Sequence, residues 1–307
     1  MPQKGLRLKP GTLWGAILRQ TKHAIRRGAL QPIETDEEFI EDGGMHFVVR
    51  VVSSLARKDE ERKKREQEAK RDKKDSNPFL PYDQDLFVAE ISDTHLALLN
   101  RFNVIDHHLL IVTRDFEDQE TLLTLSDFEA LWICMAEFEA LGFYNGGAAS
   151  GASQRHKHLQ MVPLPLASTG PAIPIEALLE SAKFSKSFGS IPGLPFVHAF
   201  TLLDPALADR PLVAAQAAHE RYQVMLGAAG LHGMNINGET RQSAPYNLLI
   251  TRKWMLLVPR SKEFFDSISV NALGFAGSLF VRNPEKMQTV RNHGPMTLLR
   301  SVAVTPG

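Results

Sequence analysis

The chain has 307 residues, 43% hydrophobic and 23% charged, enough to bury one large core or two modest ones, and its length favours two lobes. Its 35 Lys and Arg balance 35 Asp and Glu, so no whole-molecule field draws it to nucleic acid or to a membrane surface. The single cysteine, Cys134, excludes an internal disulfide framework and any site built from several thiolates.

No apolar run approaches the roughly 18 residues of a membrane span, and the first 20 residues lack the apolar block of a secretory signal. A soluble, cytoplasmic protein is expected, with no nucleic-acid or membrane partner and a monomeric state. In chain order, a first helix is predicted over Gly11–Arg27, with Leu13, Ile17, Leu18 and Ala24 near one face. "MHFVVRVV" (45–52) reads as a strand. The run at 57–75 holds ten Lys/Arg and seven Asp/Glu. It has no apolar face, so it reads as a solvated insert outside any core.

"DLFVAEI", "HLALLN" and "VIDHHLLIVT" follow as three strands with short turns. A helix is predicted to open at Ser126, with Glu129 completing a capping box, and to end at Gly142. A Gly/Ala/Ser loop, "NGGAASGAS" (145–153), then leads into a strand, "HKHLQMVPL". Pro163, Pro165, Pro171 and Pro174 mark a junction. Beyond it come a short helix ("IEALLESAKF"), a strand ("FVHAFTLL"), a long helix from Pro211, strands "YNLLIT" and "WMLLVP", and an apolar segment over 273–281. No internal sequence repeat is visible.

The chemistry concentrates in "GASQRHKHLQ" (151–160). On a strand, Gln154, His156, His158 and Gln160 project one way, while Arg155, Lys157, Leu159 and Met161 project the other. Four polar side chains on one face are poor core material, because each needs a buried partner. The small-residue loop before them offers converging backbone N–H groups as an anion nest. Three readings compete. One is a polar surface strand. Another is a metal pair, His156 and His158, needing a third ligand such as His107 or His108. The last is a nucleophilic imidazole acting on a phosphoryl group, which the glycine loop favours.

"SGASQRHKHLQ" resembles the active-site strand of the diadenosine tetraphosphate phosphorylases (ATP adenylyltransferases), a branch of the histidine triad superfamily related to galactose-1-phosphate uridylyltransferase. "NPF" (77–79), "HLALLNRFNVIDHHLLIVTRDFEDQ" (95–119), "FYNGG" (143–147), "PYNLLITRKWMLLVPR" (245–260) and "SISVNALGFAGSLFVRNPEK" (267–286) are similar to the same family. The resemblance implies that His158 attacks the α-phosphorus and carries AMP as a phosphoramidate, which inorganic phosphate discharges to ADP after ATP has left. His158 must attack through an unprotonated Nε2, so its other nitrogen needs an acceptor such as a backbone carbonyl. His156 and Gln160 complete the catalytic set. Gln160 stands where the triad hydrolases carry a third histidine, and its amide can donate to a phosphate oxygen but cannot protonate a leaving group.

By the same resemblance Gly151, Ala152, Ser153 and Gln154 line the phosphates, with Asn145 nearby. Asn100 and Arg101 contact nucleotide, Lys58 corresponds to a substrate-binding lysine, and Tyr246, Asn247 and Arg252 come from the second lobe.

The expected fold is α+β: two histidine-triad-like lobes, uridylyltransferase-like, with antiparallel sheets flanked by helices. The catalytic lobe spans 1–165, the junction 166–190 and the second lobe 191–307. The expected activity is phosphorolysis of diadenosine tetraphosphate to ATP and ADP. No covalently bound cofactor or resident metal is expected, only a divalent ion such as Mg2+ or Mn2+ accompanying the polyphosphate. The alternatives are nucleotidyl transfer to another substrate, such as a sugar phosphate, and metal-dependent nucleotide hydrolysis through His156 and His158.

Overall fold

Helix Leu13–Arg27 forms as its apolar spacing requires. Leu13, Ile17 and Ala24 are buried along one side, and Gly28 ends it in the left-handed region at φ 71°. This computed structural model describes residues 5–51, 77–185 and 188–306. The charged run at 57–75, and Lys58 with it, lies outside the described residues.

In chain order the strands are β1 (Asp36–Asp42), β2 (Met45–Val51), β3 (Phe87–Glu90), β4 (His95–Leu99), β5 (Leu109–Thr113), β6 (Ala140–Gly146), β7 (His158–Pro163), β8 (Lys183–Ser185), β9 (Phe188–Ser190), β10 (Ala199–Leu202), β11 (Gly233–Ile236), β12 (Glu239–Gln242), β13 (Tyr246–Ile250), β14 (Trp254–Pro259), β15 (Phe264–Phe265), β16 (Ile268–Ser269) and β17 (Ser278–Val281). Ten of them make one sheet, ordered β3-β4-β5-β7-β6-β13-β14-β10-β9-β8. Every neighbouring pair in it is antiparallel. The two halves of the chain therefore share a sheet. They meet where β6 pairs with β13 and Asn145 lies opposite Asn247.

Side chains alternate across this sheet as the pleat demands. On β14, Met255 and Leu257 enter the core beneath the helices Leu13–Arg27, Leu125–Met135 and Pro211–Ala228. Trp254, Leu256 and Val258 enter a second core on the other face, with β2, β17 and the helices Pro284–His293 and Pro295–Val302. Burial on both faces explains why "YNLLIT" and "WMLLVP" read as unbroken apolar runs. The fold is the α+β class expected.

Two local expectations are corrected, and one strand is added. The helix Leu125–Met135 is capped by Thr124 with Asp127, two residues before the expected Ser126 and Glu129. It does not run on to Gly142, which sits inside β6, packed under Leu131. The stretch after Met135 turns instead, and Glu137 reaches across to accept from the backbone N–H groups of Gly11 (2.8 Å) and Leu13 (3.0 Å) at the start of the first helix. Finally, β1 has no counterpart in the sequence reading. It is an acidic, partly exposed edge strand held by its pairing to β2.

Candidate active site

A cleft of about 970 Å3 opens over β5 and β7, and Gln154, His156, His158 and Gln160 all line it. Regular strand geometry begins only at His158, but an isolated bridge between Asp118 and His156 carries the pairing back across the motif. The opposite-facing residues behave as alternation predicts. Leu159 and Met161 are core residues, and Lys157 is fully buried. Its ammonium lies 2.9 Å from Asp127 and 3.0 Å from Glu117, and donates to the carbonyl of Leu122. Arg155 departs from the pattern: it also borders the cleft while pairing with Asp118 at 3.0 Å.

Hydrogen bonds fix the protons on both histidines. His158 Nδ1 lies 2.8 Å from the carbonyl oxygen of His156. A carbonyl only accepts, so Nδ1 carries the proton and Nε2 keeps its lone pair. Burial pushes this imidazole down to about 4, against the bond to His156, which favours protonation. The ring is therefore neutral across the physiological range. His156 takes the opposite tautomer. Its Nε2 donates to the carbonyl of Thr113 at 2.8 Å, and its Nδ1 accepts from Asn77 Nδ2 at 2.9 Å. The Asn77 oxygen is meanwhile held by the Phe79 backbone N–H at 3.0 Å. With both nitrogens engaged, His156 offers no lone pair to a metal. Its part is to aim its own carbonyl at His158.

Gln160 Oε1 lies 2.9 Å from His108 Nε2, and among the described residues its Nε2 donates to no protein acceptor. Asn145 is placed similarly. Its Oδ1 accepts from Asn247 Nδ2 (2.8 Å) and from the backbone N–H of Ala272 (2.9 Å), which turns its own amide nitrogen toward the cleft. Arg260 lies behind Asn247, 2% exposed, and donates to the Asn247 oxygen and to the carbonyls of Val302 and Lys262. Burial lowers this guanidinium to about 10, against the pull of Glu263, so it stays charged. A cation without a carboxylate partner among the described residues thus polarises an amide chain, Arg260–Asn247–Asn145, ending at the cleft. Asn247→Leu should break this chain, lowering the single-turnover rate by about tenfold and stability by roughly 1–3 kcal/mol, readable by rapid quench and thermal melting.

The glycine loop is corrected in one respect. The amides of Gly151 and Ala152 donate within the loop, to Ala148 (2.9 Å) and Gly147 (3.3 Å), so neither is an open anion donor. Both residues still line the cleft, as do Ser153 and Gln154. Gly151 is required by shape. Its φ is +89°, and a Cβ there would stand 2.9 Å from Asn271 Cβ and 3.1 Å from the Val270 carbonyl.

Asn100 and Arg101 also border the cleft, with Arg101 paired to Asp83 at 2.6 Å. Two second-lobe expectations fail on geometry. Tyr246 is fully buried, with its hydroxyl 2.7 Å from that of Tyr222. Arg252 points away, holding Met135 and Phe138 carbonyls and Glu139. Asn247 reaches the site only through Asn145. The second half contributes Glu263, Ser269, Asn271, Arg282 and Lys286 to the cleft wall instead. Asn77 lies in "NPF", and Ser269, Asn271, Arg282 and Lys286 lie in the 267–286 segment, but none was singled out as a site residue, because nothing local distinguishes an Asn or Lys beside a cleft from one in a turn.

Residues 3–181 match the family model of the Ap4A phosphorylase N-terminal domain. The chain belongs to this family. Residues 192–305 match the ATP adenylyltransferase C-terminal domain. The chain is 30% identical over 243 residues to diadenosine 5',5'''-P1,P4-tetraphosphate phosphorylase 2 of Saccharomyces cerevisiae, covering 71% of this chain and 73% of that one. Protein APA1 of the same yeast is 28% identical over 307 residues, covering 90% and 88%. The crystal structure of yeast Ap4A phosphorylase Apa2 in complex with Ap4A shares the fold, with a TM-score of 0.75 at 21% identity over 97% and 99% of the two chains. As a member of the Ap4A phosphorylase family, the chain carries the bare imidazole and the donor-lined cleft that nucleotidyl transfer needs.

Proposed function

We propose that the protein is a nucleotidyltransferase that cleaves diadenosine tetraphosphate with inorganic phosphate, giving ATP and ADP through an adenylylated His158. The observation that carries this reading is the tautomer of His158: Nδ1–H is held by the His156 carbonyl and Nε2 lies unprotonated in the cleft. Nε2 bonds to the α-phosphorus, the bond to the bridging oxygen breaks, and ATP leaves with that electron pair. An oxygen of inorganic phosphate then bonds to the same phosphorus, the P–N bond returns its electrons to Nε2, and ADP leaves. ATP is a weak base as a leaving group, so the first step proceeds without a general acid at position 160. Gln160 and Asn145 supply N–H donors to the non-bridging oxygens, where charge develops.

No group of three His, Cys, Asp or Glu side chains arranged to hold a metal occurs among the described residues. In this reading Mg2+ or Mn2+ arrives with the polyphosphate as part of the substrate. No helix among the described residues is long and apolar enough to cross a membrane.

The test is intact mass after incubation with diadenosine tetraphosphate in phosphate-free buffer. An adenylyl adduct that phosphate discharges to ADP is the expected result. Phosphate-independent hydrolysis without an adduct, abolished by chelation, would replace this reading with a metal-dependent one.

A further inference from the structure

We propose that His108, held by Asn100, fixes the orientation of the Gln160 amide and so steers adenylylated His158 toward phosphate and away from water. This rests on the covalent reading above and adds a positioning residue that decides which acceptor the intermediate takes. Asn100 Nδ2 lies 3.1 Å from His108 Nδ1, and His108 Nε2 lies 2.9 Å from Gln160 Oε1. An amide nitrogen only donates, so His108 Nδ1 is the acceptor and the proton sits on Nε2. That N–H takes up the Gln160 oxygen and leaves the amide N–H groups facing the cleft. The reverse relay would aim Oε1 at anionic phosphate oxygens, two acceptors face to face, which is unfavourable at a site that binds polyphosphate. The relay is rigid: His108 is 8% exposed, its ring packs 5.7 Å from that of Phe143, and the Asn100 backbone N–H bonds the His108 carbonyl at 2.9 Å.

Acceptor choice follows from proton balance. When phosphate attacks, an anionic oxygen bonds to phosphorus, the P–N electrons return to Nε2, and no proton has to leave the nucleophile. When water attacks, its oxygen bonds to phosphorus, the same P–N bond breaks, and a proton must pass to solvent through a hydrogen-bond acceptor that also orients the water. His158 Nε2 is occupied by phosphorus at that moment, and His156 has no lone pair in the cleft. The next cleft-facing side chain on β7 is Gln160, and its acceptor, Oε1, is the one His108 withholds.

The experiment isolates adenylylated protein and chases it at a fixed, limiting phosphate concentration, reading AMP against ADP, for wild type, His108→Phe and Asn100→Ala. His108→Phe keeps a ring of similar size but frees Oε1. It should raise the AMP:ADP ratio about tenfold, the effect of one orienting hydrogen bond, and shorten the adduct lifetime in phosphate-free buffer by a similar factor. Asn100→Ala, which frees the tautomer of His108, should move the ratio in the same direction by a smaller factor. A parallel chase of denatured adduct gives the AMP released by unfolded protein, and that contribution is subtracted from each ratio. An unchanged or lower AMP:ADP ratio in folded His108→Phe overturns the proposal, and Asn100→Ala decides if His108→Phe does not fold. Absence of any adduct on wild type overturns the covalent reading itself, a separate and distinguishable failure.

Discussion

His158→Ala should lose adenylyl transfer by about 10^4-fold or more, because it removes the proposed nucleophile and no other imidazole among the described cleft residues carries a free lone pair. The variant should still fold. Among the described residues the side chain's hydrogen bond runs only to the carbonyl of its neighbour His156, and the strand is held by pairing to β5 and β6 and by Lys157 beneath it. Intact mass should show the adduct on wild type alone, and thermal melting should place the two proteins close together. A variant that still acquires the adduct would move the nucleophile elsewhere and remove the basis for the proposed role of Gln160.

The pH dependence of adduct formation gives an independent check. Burial holds the His158 imidazole at about 4, so the reactive neutral form persists as pH falls. No inorganic phosphate is present in this half-reaction to contribute its own ionisation. The rate should stay flat from about pH 8 to about pH 5. An ordinary imidazole would already have lost more than about nine-tenths of its reactive form there. A rate that declines with a midpoint near 6.5 would place the nucleophile in a far more polar setting than this cleft provides.

Much of the site was legible in sequence because one strand carries it. Alternation alone put Gln154, His156, His158 and Gln160 on a common face, and the need for an acceptor at His158 Nδ1 was foreseeable from the chemistry of attack. What the sequence hid lies across the sheet or across the chain. His108 is separated from Gln160 by 52 residues, and Asn247 from Asn145 by 102. Both pairs meet only because β5 and β13 take their places in the ten-stranded order. Arg252 sits in "LLITRKW" as conspicuously as any ligand-binding arginine, yet the turn after β13 directs it onto the end of a helix, where carbonyls await a cation. The loop at 145–153 looked like an open nest because composition reports flexibility, while the direction of each N–H depends on turns that close only in the folded chain. The Thr124–Asp127 cap escaped for a related reason: Asp127 is chosen as much by Lys157 as by its own helix.

That buried group carries the largest stability prediction. Asp127 is 1% exposed and meets Lys157 at 2.9 Å and His95 at 3.1 Å, with the Thr124 backbone N–H at 2.7 Å. Burial alone would raise its carboxyl, but the His95 hydrogen bond and the Lys157 charge outweigh it and hold the group well below the ordinary carboxylate range. Asp127→Asn strands the fully buried Lys157 ammonium, whose other carboxylate, Glu117, has a 45% exposed side chain. A loss of roughly 3–5 kcal/mol is expected, together with slower adduct formation, because Lys157 lies between His156 and His158. Asp127→Asn combined with Lys157→Met should recover most of that loss, since removing both charges relieves the unpaired one. Acid should act in two stages with the same sign. Between pH 6.5 and about 4 the unfolded chain binds a proton at His158 that the folded protein refuses, so stability falls as pH drops through that window. Below the ordinary carboxylate value of 3.8 the depressed Asp127 adds a second loss, present in wild type and absent from Asp127→Asn. Urea titrations at pH 7, 5 and 3.5 separate the stages. Curves for wild type and Asp127→Asn that stay parallel below pH 4 would mean that the carboxyl does not carry the acid sensitivity.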